Sequence, residues 1–373
     1  MKYYLIVGEA SGDLHASNLV KAIQELDSEA EFRGFGGDLM KKAGVNIIKH
    51  HRDLSFMGFV EVAGHLPTII KILNECKSDI LNFQPHALIL VDYPGFNLRI
   101  AKFARKNNIK VIYYVSPQVW AWHQSRVRSI KKYVNRMITI LPFESDFYSQ
   151  HHFEVFYAGH PLLDVISEYI PPSREEFLSR NSLNHQPIIA ILPGSRKQEI
   201  KVMLPVMLSM VKRFPEFQFV IGAAPSLPDN FFEPITNHHR IAITKGQTYD
   251  LLSHSYAALV TSGTASLETA LLNVPQVICY KGQPLSYFIA RRMVKIGFIG
   301  LPNLIAGRQV VKELIQNYFT PARLYDEIDK IVKDERYRNE IRKGYDEIRH
   351  LLGGPGASKR AANEIVRVIA SQS

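Results

Sequence analysis

The chain has 373 residues, 46% of them apolar, which is typical of a globular protein with two or three domains. Its apolar runs are shorter than the roughly 18 residues of a membrane-spanning helix, and we find no signal-peptide pattern, so we expect a cytosolic protein. The formal net charge of +10 predicts an anionic partner such as a nucleotide, a phosphorylated substrate or an anionic membrane face. Nucleic acid is the weaker option because zinc-finger spacing, an RNP-type motif and a long basic block are all missing from the sequence.

The first predicted strand, Tyr3 to Val7, leads into a loop with the sequence GEASGD, residues 8–13, and then into a helical run. The two glycines of this loop allow its backbone to approach a ligand closely. The loop matches neither GxGxxG nor a Walker A loop, which weakens a dinucleotide or ATP interpretation. Capping of the following helix is an alternative role for Ser11 and Asp13.

Asp92 directly follows the clearest strand pattern of the first half, His86 to Val91. Ligands of open parallel sheets bind at the carboxyl ends of the strands, so this acid is expected at the mouth of a cleft. The alternative is an ordinary turn or capping acid ahead of the next helix.

One long segment fits either a core helix or a helix that offers an apolar face to lipid. Residues Phe56 to Asn74 are apolar on nearly every face of a predicted helix, and they include Phe59, Leu66 and Ile69. Core packing is the commoner role of such a segment.

Two tryptophans, Trp120 and Trp122, precede a helix predicted to continue through Arg136. Arg128 and Lys132 are four residues apart on one basic side of that helix. A solvated basic face is the plain interpretation, and an interfacial lipid anchor is the alternative. A later segment again interleaves basic and aromatic residues and contains Arg291 and Arg292.

The polar segment from Pro171 to Pro187 separates two stretches of alternating strands and helices, which predicts a domain boundary there. The next strand, Ile188 to Leu192, is followed by a glycine-serine loop that ends in Arg196. The planar fork of an arginine in such a loop suits a pyrophosphate, although a surface arginine is the alternative. The last helix follows a glycine-rich break and is expected to pack back across the first domain.

Residues 257–280 predict a parallel strand-helix-strand unit whose turn contains Ser262, Gly263 and Thr264. A helix that begins at such a turn presents free backbone N–H groups and its positive dipole end to a phosphate. With Thr264 as the N-cap, Glu268 falls in the first turn, one place beyond the capping-box position, and is available to ribose hydroxyls. Complementing the helix dipole explains Glu268 equally well.

Seven motifs, taken together and in this order, resemble the lipid-A-disaccharide synthase family. They are GEASGD (8–13), the Asp92 turn, SPQVWAW (116–122), GHPL (159–162), LPGSR (192–196), SGTASLE (262–268) and LPNLIAG (301–307). Each motif is weak alone, but together they span nearly the whole chain and are highly specific. One departure is Gly95, where relatives often carry a second acid, so Asp92 is the only acid of its turn.

The resemblance implies an α/β protein of the GT-B class, with two Rossmann-like doubly wound domains facing across a cleft. Residues 1–175 would bind the acceptor and its lipid chains, residues 185–350 would bind the UDP-sugar, and residues 351–373 would cross back to the first domain. The implied reaction is an inverting transfer from UDP-2,3-diacylglucosamine to 2,3-diacylglucosamine 1-phosphate (lipid X), which releases UDP and forms the β-1,6 disaccharide of lipid A. The enzyme would need no metal or other cofactor and would be peripheral on the inner face of the cytoplasmic membrane.

The predicted site residues follow from the motif positions and from this resemblance. Asp92 would be the general base, accompanied by Glu9 and Ser11. Donor binding would involve Arg196, Ser262, Gly263, Thr264, Glu268 and Asn303. Contacts to acyl chains and to the anionic membrane surface would involve Phe59, Leu66, Ile69, Trp120, Trp122, Arg128, Lys132, Arg291 and Arg292.

Two other functions and the question of a homodimer stay open at this point. A different GT-B enzyme acting on UDP-N-acetylglucosamine, such as an epimerase or a peptidoglycan glycosyltransferase, would not need the apolar segment after Phe56. A non-catalytic membrane or nucleotide-binding protein would explain the charge but would leave Asp92 and Arg196 without a role.

Overall fold

The computed structural model describes residues 1–54, 66–120, 124–236, 241–282 and 297–371. Its contacts divide the chain into two compact units, one formed by Met1–Val165 with Gly353–Ser373 and the other by Ile166–Leu352. Each unit contains a parallel β-sheet with helices between successive strands, so the predicted α/β class is confirmed. The division after Val165 comes earlier in the chain than the predicted limit at residue 175.

The strands of the first unit are β1 Lys2–Val7, β2 Glu31–Gly36, β3 Asn46–His50, β4 Ala87–Val91, β5 Lys110–Tyr114, β6 Arg136–Thr139 and β7 Phe156–Tyr157. Its helices are α1 Ala10–Leu26, α2 Asp38–Lys42, α3 Leu66–Phe83, α4 Pro94–Lys106, α5 Arg126–Tyr133, α6 Phe143–Gln150, the start of α7 Leu162–Glu168, and α16 Ala357–Ala370, with a 3₁₀ turn at His51–Leu54. The strand order in the described sheet is β3-β2-β1-β4-β5-β6-β7.

Short, fully apolar runs form the centre of this sheet. Every side chain of Ala87–Val91 is buried, as are those of residues 3–7, because helices cover both faces of a parallel sheet. The strand order reverses between the neighbouring strands β1 and β4. The GEASGD motif follows β1, and the Asp92 turn follows β4. Such a reversal is where open α/β sheets bind ligands.

The strands of the second unit are β8 Ile188–Leu192, β9 Gln218–Ala223, β10 Ala242–Lys245, β11 Ser255–Thr261, β12 Gln276–Tyr280 and β13 Glu313–Ile315. Its helices are α8 Arg174–Arg180, α9 Lys197–Leu208, α10 Glu233–Thr236, α11 Thr248–Ser253, α12 Thr264–Leu271, α13 Leu301–Ala306, α14 Pro321–Lys333 and α15 Glu335–Leu352, with 3₁₀ turns at Asp229–Phe231 and Gln316–Tyr318. The described sheet has the order β10-β9-β8-β11-β12-β13, so the reversal falls between β8 and β11.

The C-terminal helix α16 packs on α1 and β5 of the first unit. The Asp164 carboxylate accepts hydrogen bonds from three backbone N–H groups at the start of α16, those of residues 356–358, at 2.5–3.1 Å. At the other end the Lys110 ammonium donates to the carbonyls of Val368 (2.7 Å) and Ile369 (2.9 Å). An anion therefore lies at the positive end of the helix dipole and a cation at the negative end.

One predicted helix limit is corrected by the structure, and a second helical region of the chain is interrupted. The helix expected to continue through Arg136 ends at Tyr133, because Val134 adopts an extended backbone with ψ 128° and Arg136 begins β6. The charged helical region after Pro321 is divided at Asp334, whose side chain accepts the N–H of Tyr337 at 3.1 Å and so starts a new helix.

Candidate functional site

The candidate site of the first unit lies at the carboxyl ends of β1 and β4. Val7 and Val91 are register partners on these strands, so Glu9 and Asp92, which follow them, emerge at the same edge of the sheet. Glu9 is the N-cap residue of α1 and has an exposed side chain. Ser11, partly buried, lies in the first turn of the same helix. The structure therefore groups the three residues predicted for this part of the site.

Three residues that follow β4 and β5 have a left-handed backbone: Asp92 with φ 43°, Tyr93 with φ 50° and Val115 with φ 60°. Such values are uncommon for non-glycine residues and exceptional for a β-branched one. The Asp92 N–H donates to the Val115 carbonyl at 3.1 Å, and the Asp92 carbonyl accepts from the Asn97 amide at 2.8 Å and from the Tyr113 hydroxyl. Strain that is held by several surrounding contacts is typical of functional sites.

The electrostatic environment of Asp92 also differs from that of an ordinary turn acid. Burial raises the pKa of Asp92 from 3.8 to about 7, and the Glu9 carboxylate adds to the increase. A hydrogen bond from the backbone N–H of Tyr93 lowers the pKa of Asp92 but does not cancel the effect of burial. A carboxylate with a pKa near neutrality is well matched to proton transfer at physiological pH.

A glycine is required at position 8 because the Tyr93 ring approaches the backbone there. A Cβ atom at Gly8 would lie 2.4 Å from Cγ of Tyr93. The ring is fixed by its hydroxyl, which donates to the Leu54 carbonyl at 3.2 Å. Gly8, the first residue of the GEASGD motif, is therefore needed for close packing against the Asp92 turn.

Asp13, the last residue of the GEASGD motif, has a structural role. Its carboxylate accepts the backbone N–H groups of Gly37 (2.8 Å), Leu39 (3.0 Å) and Met40 (3.1 Å), so it caps α2. The interpretation that Asp13 caps its own helix is wrong, because its hydrogen-bond partners belong to a later segment of the chain.

Trp120 is buried inside the first unit, so its predicted role as an interfacial lipid anchor is wrong. Its indole N–H donates to Glu144 Oε1 at 3.2 Å, and its ring packs edge-on against Phe143. Glu144 also accepts the N–H groups of Ile140 and Leu141, and burial raises the pKa of Glu144 to about 7. A buried carboxyl therefore fixes the end of the SPQVW segment.

The other residues predicted to contact lipid have different positions. Ile69 is buried in the core among Ile72, Leu73 and Cys76, which corrects its prediction as a contact to acyl chains. Arg128 and Lys132 are exposed on α5, whereas Val127 and Ile130 on the same helix are buried. Phe59, Trp122, Arg291 and Arg292 lie outside the described residues, and for Leu66 only its place at the start of α3 is described.

Arg196 lies at the strand-order reversal of the second unit, between β8 and α9. Gly194 precedes it with φ 88°, a conformation that favours glycine. Arg196 is the N-cap residue of α9, and its side chain is 69% exposed while its guanidinium lies 3.4 Å from Glu199 Oε1. A largely exposed arginine at the start of a helix lies where its guanidinium can meet an anionic ligand.

The SGT turn lies beside Arg196's loop at the carboxyl end of β11. Gly263 has φ 145° and open space around the position of a Cβ, so its backbone conformation is what requires glycine. Ser262 is fixed because its hydroxyl donates to the Ile299 carbonyl at 2.9 Å. The Thr261 hydroxyl is buried and has no hydrogen-bond partner among the described residues, which is consistent with a polar ligand at this turn.

Glu268 lies one position further along α12 than the sequence predicts. Gly263, not Thr264, is the N-cap residue, so Glu268 is in the second turn and is too far along to act as a capping acid. Its Oε1 accepts a hydrogen bond from the Tyr249 hydroxyl at 2.9 Å, and burial raises the pKa of Glu268. Tyr249 is not among the residues that the sequence motifs indicate, although its position shortly after β10 places it near the same edge of the sheet.

Asn303 is fully buried and fully hydrogen-bonded within the protein. Its amide nitrogen donates to the Val311 carbonyl (2.9 Å) and to Glu313 (2.8 Å), and its oxygen accepts from Val310 (2.7 Å) and Val311 (3.0 Å). The prediction that Asn303 contacts the donor is corrected, because the amide has no capacity left for a ligand. Glu313 also binds the N–H of Ile299, so Asn303 supports the segment that holds Ser262.

The described residues contain neither a metal-binding cluster nor a membrane-spanning helix. Among them, no group of three or more His, Cys, Asp or Glu side chains is arranged to hold a metal ion. None of the described helices is both long enough and apolar enough to span a membrane.

Solved structures of the GT-B class share the architecture of two Rossmann-like units in one chain, so the chain has the GT-B fold. UDP-GlcNAc 2-epimerase from Neisseria meningitidis, solved with bound UDP-GlcNAc, matches with a TM-score of 0.70 over 98% of this chain and 100% of that one, at 14% identity. The calicheamicin glycosyltransferase matches with a TM-score of 0.60 over 99% and 98% of the two chains, also at 14% identity. Identities this low establish the fold alone.

Sequence comparison identifies the family. The family model described as lipid-A-disaccharide synthetase matches residues 3–367. Proteins named lipid-A-disaccharide synthase from Syntrophus aciditrophicus (40% identical, 96% of this chain and 95% of that one) and Trichlorobacter lovleyi (37% identical, 98% and 97%) match along almost their whole lengths. The chain therefore belongs to the lipid-A-disaccharide synthase family, and it is a hexosyltransferase of lipid A biosynthesis.

Proposed function

We propose that the chain transfers the sugar of UDP-2,3-diacylglucosamine to the 6-hydroxyl group of 2,3-diacylglucosamine 1-phosphate. Family membership supports this reaction, and a UDP-sugar is also the ligand of the Neisseria epimerase that shares the fold. In this proposal the second unit binds the donor, and the first unit binds the acceptor and supplies the base.

The proposed step is a single displacement at C1 of the donor sugar. The acceptor hydroxyl oxygen forms a bond to C1, its proton passes to the Asp92 carboxylate, and the bond from C1 to the diphosphate oxygen breaks. The electron pair of that bond leaves with UDP, and the configuration at C1 inverts. The enzyme must therefore provide a base, a stabilised leaving group and fixed orientations of both sugars.

The observation that carries the proposal is the environment of Asp92. Its side chain follows a strand at the reversal of the sheet, its backbone is held in a left-handed conformation, and its pKa is raised to about 7. A base of this pKa is about half ionised at neutral pH and is more basic than an ordinary carboxylate, which suits it to assist removal of a hydroxyl proton.

Stabilisation of the departing diphosphate is assigned to two groups of the second unit. Arg196 supplies a bidentate cation, and the backbone N–H groups at Ser262–Thr264 supply the positive end of α12. The open surroundings of Gly263 support a phosphate at this turn, as does the Thr261 hydroxyl, which has no hydrogen-bond partner among the described residues.

Both substrates carry acyl chains and would reside in a bilayer, so we also place the chain at the inner face of the cytoplasmic membrane as a peripheral protein. The exposed cations Arg128 and Lys132 support contact with anionic lipid. The apolar part of this surface would come from the segment after Phe56.

A product assay tests the function. Purified protein is incubated with both lipid substrates, or with UDP-GlcNAc alone, and the products are identified by mass spectrometry. We expect the acylated disaccharide and UDP, and the Asp92→Asn variant should turn over at least about 10²-fold more slowly with nearly unchanged donor affinity. Epimerisation of UDP-GlcNAc without disaccharide formation would instead favour the epimerase alternative.

A further inference from the structure

We propose that Tyr249 is a positioning residue for the nucleotide ribose: its hydroxyl holds one oxygen of Glu268 so that the carboxylate is presented to a ribose hydroxyl. This inference rests on the proposed function, because it takes a UDP-sugar as the ligand of the second unit. Tyr249 belongs to none of the seven motifs, and it acts through Glu268 rather than on the reacting atoms.

The hydrogen bond between Tyr249 and Glu268 limits the rotation of the carboxylate. The phenol oxygen lies 2.9 Å from Oε1 of Glu268. The terminal torsion of a glutamate is otherwise broad, so an unanchored carboxylate would sample many orientations. An ionised carboxylate has about four acceptor sites, and Tyr249 uses one of them. The remaining acceptor capacity is therefore held in a defined direction.

Tyr249 is itself held in place by aromatic packing. Its ring meets Tyr169 edge to face, with ring centroids 5.5 Å apart and an interplanar angle of 77°. The Tyr169 hydroxyl donates to the Asp250 carboxylate, which also lies 3.7 Å from the Arg180 guanidinium. Side chains that are locked by a supporting layer of contacts hold a ligand site more accurately than isolated ones.

The protonation states of the pair favour this role. Burial raises the pKa of Tyr249 well above its usual value of 10, so the phenol remains a hydrogen-bond donor at neutral pH. Burial also raises the pKa of Glu268, but the Tyr249 hydrogen bond lowers it. Tyr249 therefore favours the ionised form of Glu268, which is the form that accepts hydrogen bonds from a ribose hydroxyl.

Calorimetric titration with UDP, 2′-deoxy-UDP and 3′-deoxy-UDP tests the proposal on the full-length protein. We expect the wild-type protein to bind UDP at least about 10-fold more tightly than one of the deoxy analogues, since that analogue leaves an acceptor of Glu268 unpaired. In Tyr249→Phe the UDP affinity should fall about 10-fold while the affinity for that analogue changes little. The ratio between the two affinities should therefore approach one.

A matched control and a second readout separate positioning from folding. Tyr256→Phe also removes one tyrosine hydroxyl group, in this case from β11, where it donates to the Val332 carbonyl at 3.3 Å. This variant should keep the wild-type ratio of the affinities for UDP and the deoxy analogue. In the transfer reaction Tyr249→Phe should raise the donor KM and leave kcat nearly unchanged.

The outcomes distinguish this inference from the proposed function. A Tyr249→Phe variant that loses UDP and the deoxy analogues equally would overturn the positioning role and leave the proposed function intact. A wild-type protein that binds UDP and both deoxy analogues equally well would overturn ribose recognition by Glu268, and with it the role of Tyr249. The proposed transfer reaction would still stand. A wild-type protein that binds no UDP would overturn both.

Discussion

The Asp92 turn shows how single residues are held in conformations that they would not adopt alone. Left-handed backbone conformations cost about 1–3 kcal/mol each for non-glycine residues, and Asp92 and Tyr93 adopt them in succession. Asn97 and Tyr113 offset this cost by binding the Asp92 carbonyl. The Asp92 backbone is therefore held by its surroundings and not by local turn preference.

The raised pKa of Asp92 predicts the pH dependence of the transfer reaction. Only the ionised carboxylate acts as a base, so kcat/KM should fall as the pH drops through about 7. Because the Glu9 charge contributes to the increase, Glu9→Gln should move this acidic limb to lower pH, while burial, the larger cause, keeps it above the ordinary value of 3.8.

The pH–rate profiles of the wild-type protein and Glu9→Gln over the same pH range check this prediction. Identical limbs in both proteins would show that Glu9 does not act on the titrating group. A limb that persists in Asp92→Asn would assign it to another residue, with Glu9 as the first candidate, since Asp13 is committed to α2.

Arg196 should contribute to the transition state more than to folding. Its side chain is largely exposed, so Arg196→Ala should leave thermal stability nearly unchanged but lower kcat/KM by the equivalent of about 2–4 kcal/mol. Arg196→Lys keeps the positive charge but loses the planar guanidinium that can donate two hydrogen bonds to a phosphate. This variant should therefore restore only part of the rate. Steady-state kinetics with and without EDTA check this picture, and either unchanged kinetics in Arg196→Ala or activity abolished by EDTA would contradict it.

Sequence position predicted which residues lie at the strand ends but not what each side chain contacts. Glu9, Asp92, Arg196 and Gly263 all lie at the two strand-order reversals, as the motifs indicate. Asn303 differs because its partners lie seven to ten residues later, at the start of β13 and just before it, so its amide is used inside the protein. Partners of this kind depend on the tertiary fold, which spacing along the chain does not reveal.

At the scale of elements, apolar runs predicted the central strands well because a buried parallel strand has few alternatives. Helix limits were harder to predict. The basic repeat of α5 continues to Arg136 in the sequence, yet Arg136 begins a strand, where its side chain lies 2.5 Å from Glu364 of α16. A distant partner thus overrides the local helical pattern.

The attachment of α16 depends on charges at both of its ends. Asp164→Ala removes the acceptor of three N–H groups at the helix start and should lower the free energy of unfolding by about 1–2 kcal/mol. Urea unfolding measures this loss, and limited proteolysis should cut α16 sooner in the variant. Lys359→Ala on the same helix removes an exposed ion pair with Glu25 and should cost less than about 1 kcal/mol. Equal losses in the two variants would contradict the capping role of Asp164.

At the scale of the whole molecule, strand-helix alternation and a polar interruption were sufficient to predict two α/β units. The division occurs after Val165, before the interruption, because Tyr169 and Pro172 contact Asp250 and His254 in the second unit. Composition shows where a chain is polar, but these contacts show to which unit the connecting segment belongs. Family membership then supplied the reaction, which neither charge nor fold determines.

The net charge of +10 gives a prediction for the whole molecule at a membrane surface. Each well-placed cation is worth about 1 kcal/mol near an anionic leaflet, and exposed charges are screened over about 10 Å at 0.1 M salt. We expect sedimentation with anionic vesicles at low salt, progressive release as the salt concentration rises, and little binding to neutral vesicles. The measurement is a vesicle sedimentation assay across a salt series.

Charge reversal distinguishes a specific docking face from the effect of net charge. The double variant Arg128→Glu with Lys132→Glu should lose most of the binding, because both cations are exposed on one helix of the first unit. The double variant Arg336→Glu with Lys343→Glu changes the net charge equally on α15 of the second unit and should bind like the wild-type protein. Equal losses in the two double variants would show that binding follows net charge and that α5 is not the docking face. Sedimentation that is absent from anionic and neutral vesicles alike at low salt would remove the membrane from the proposed function, and the segment after Phe56 would then be ordinary core.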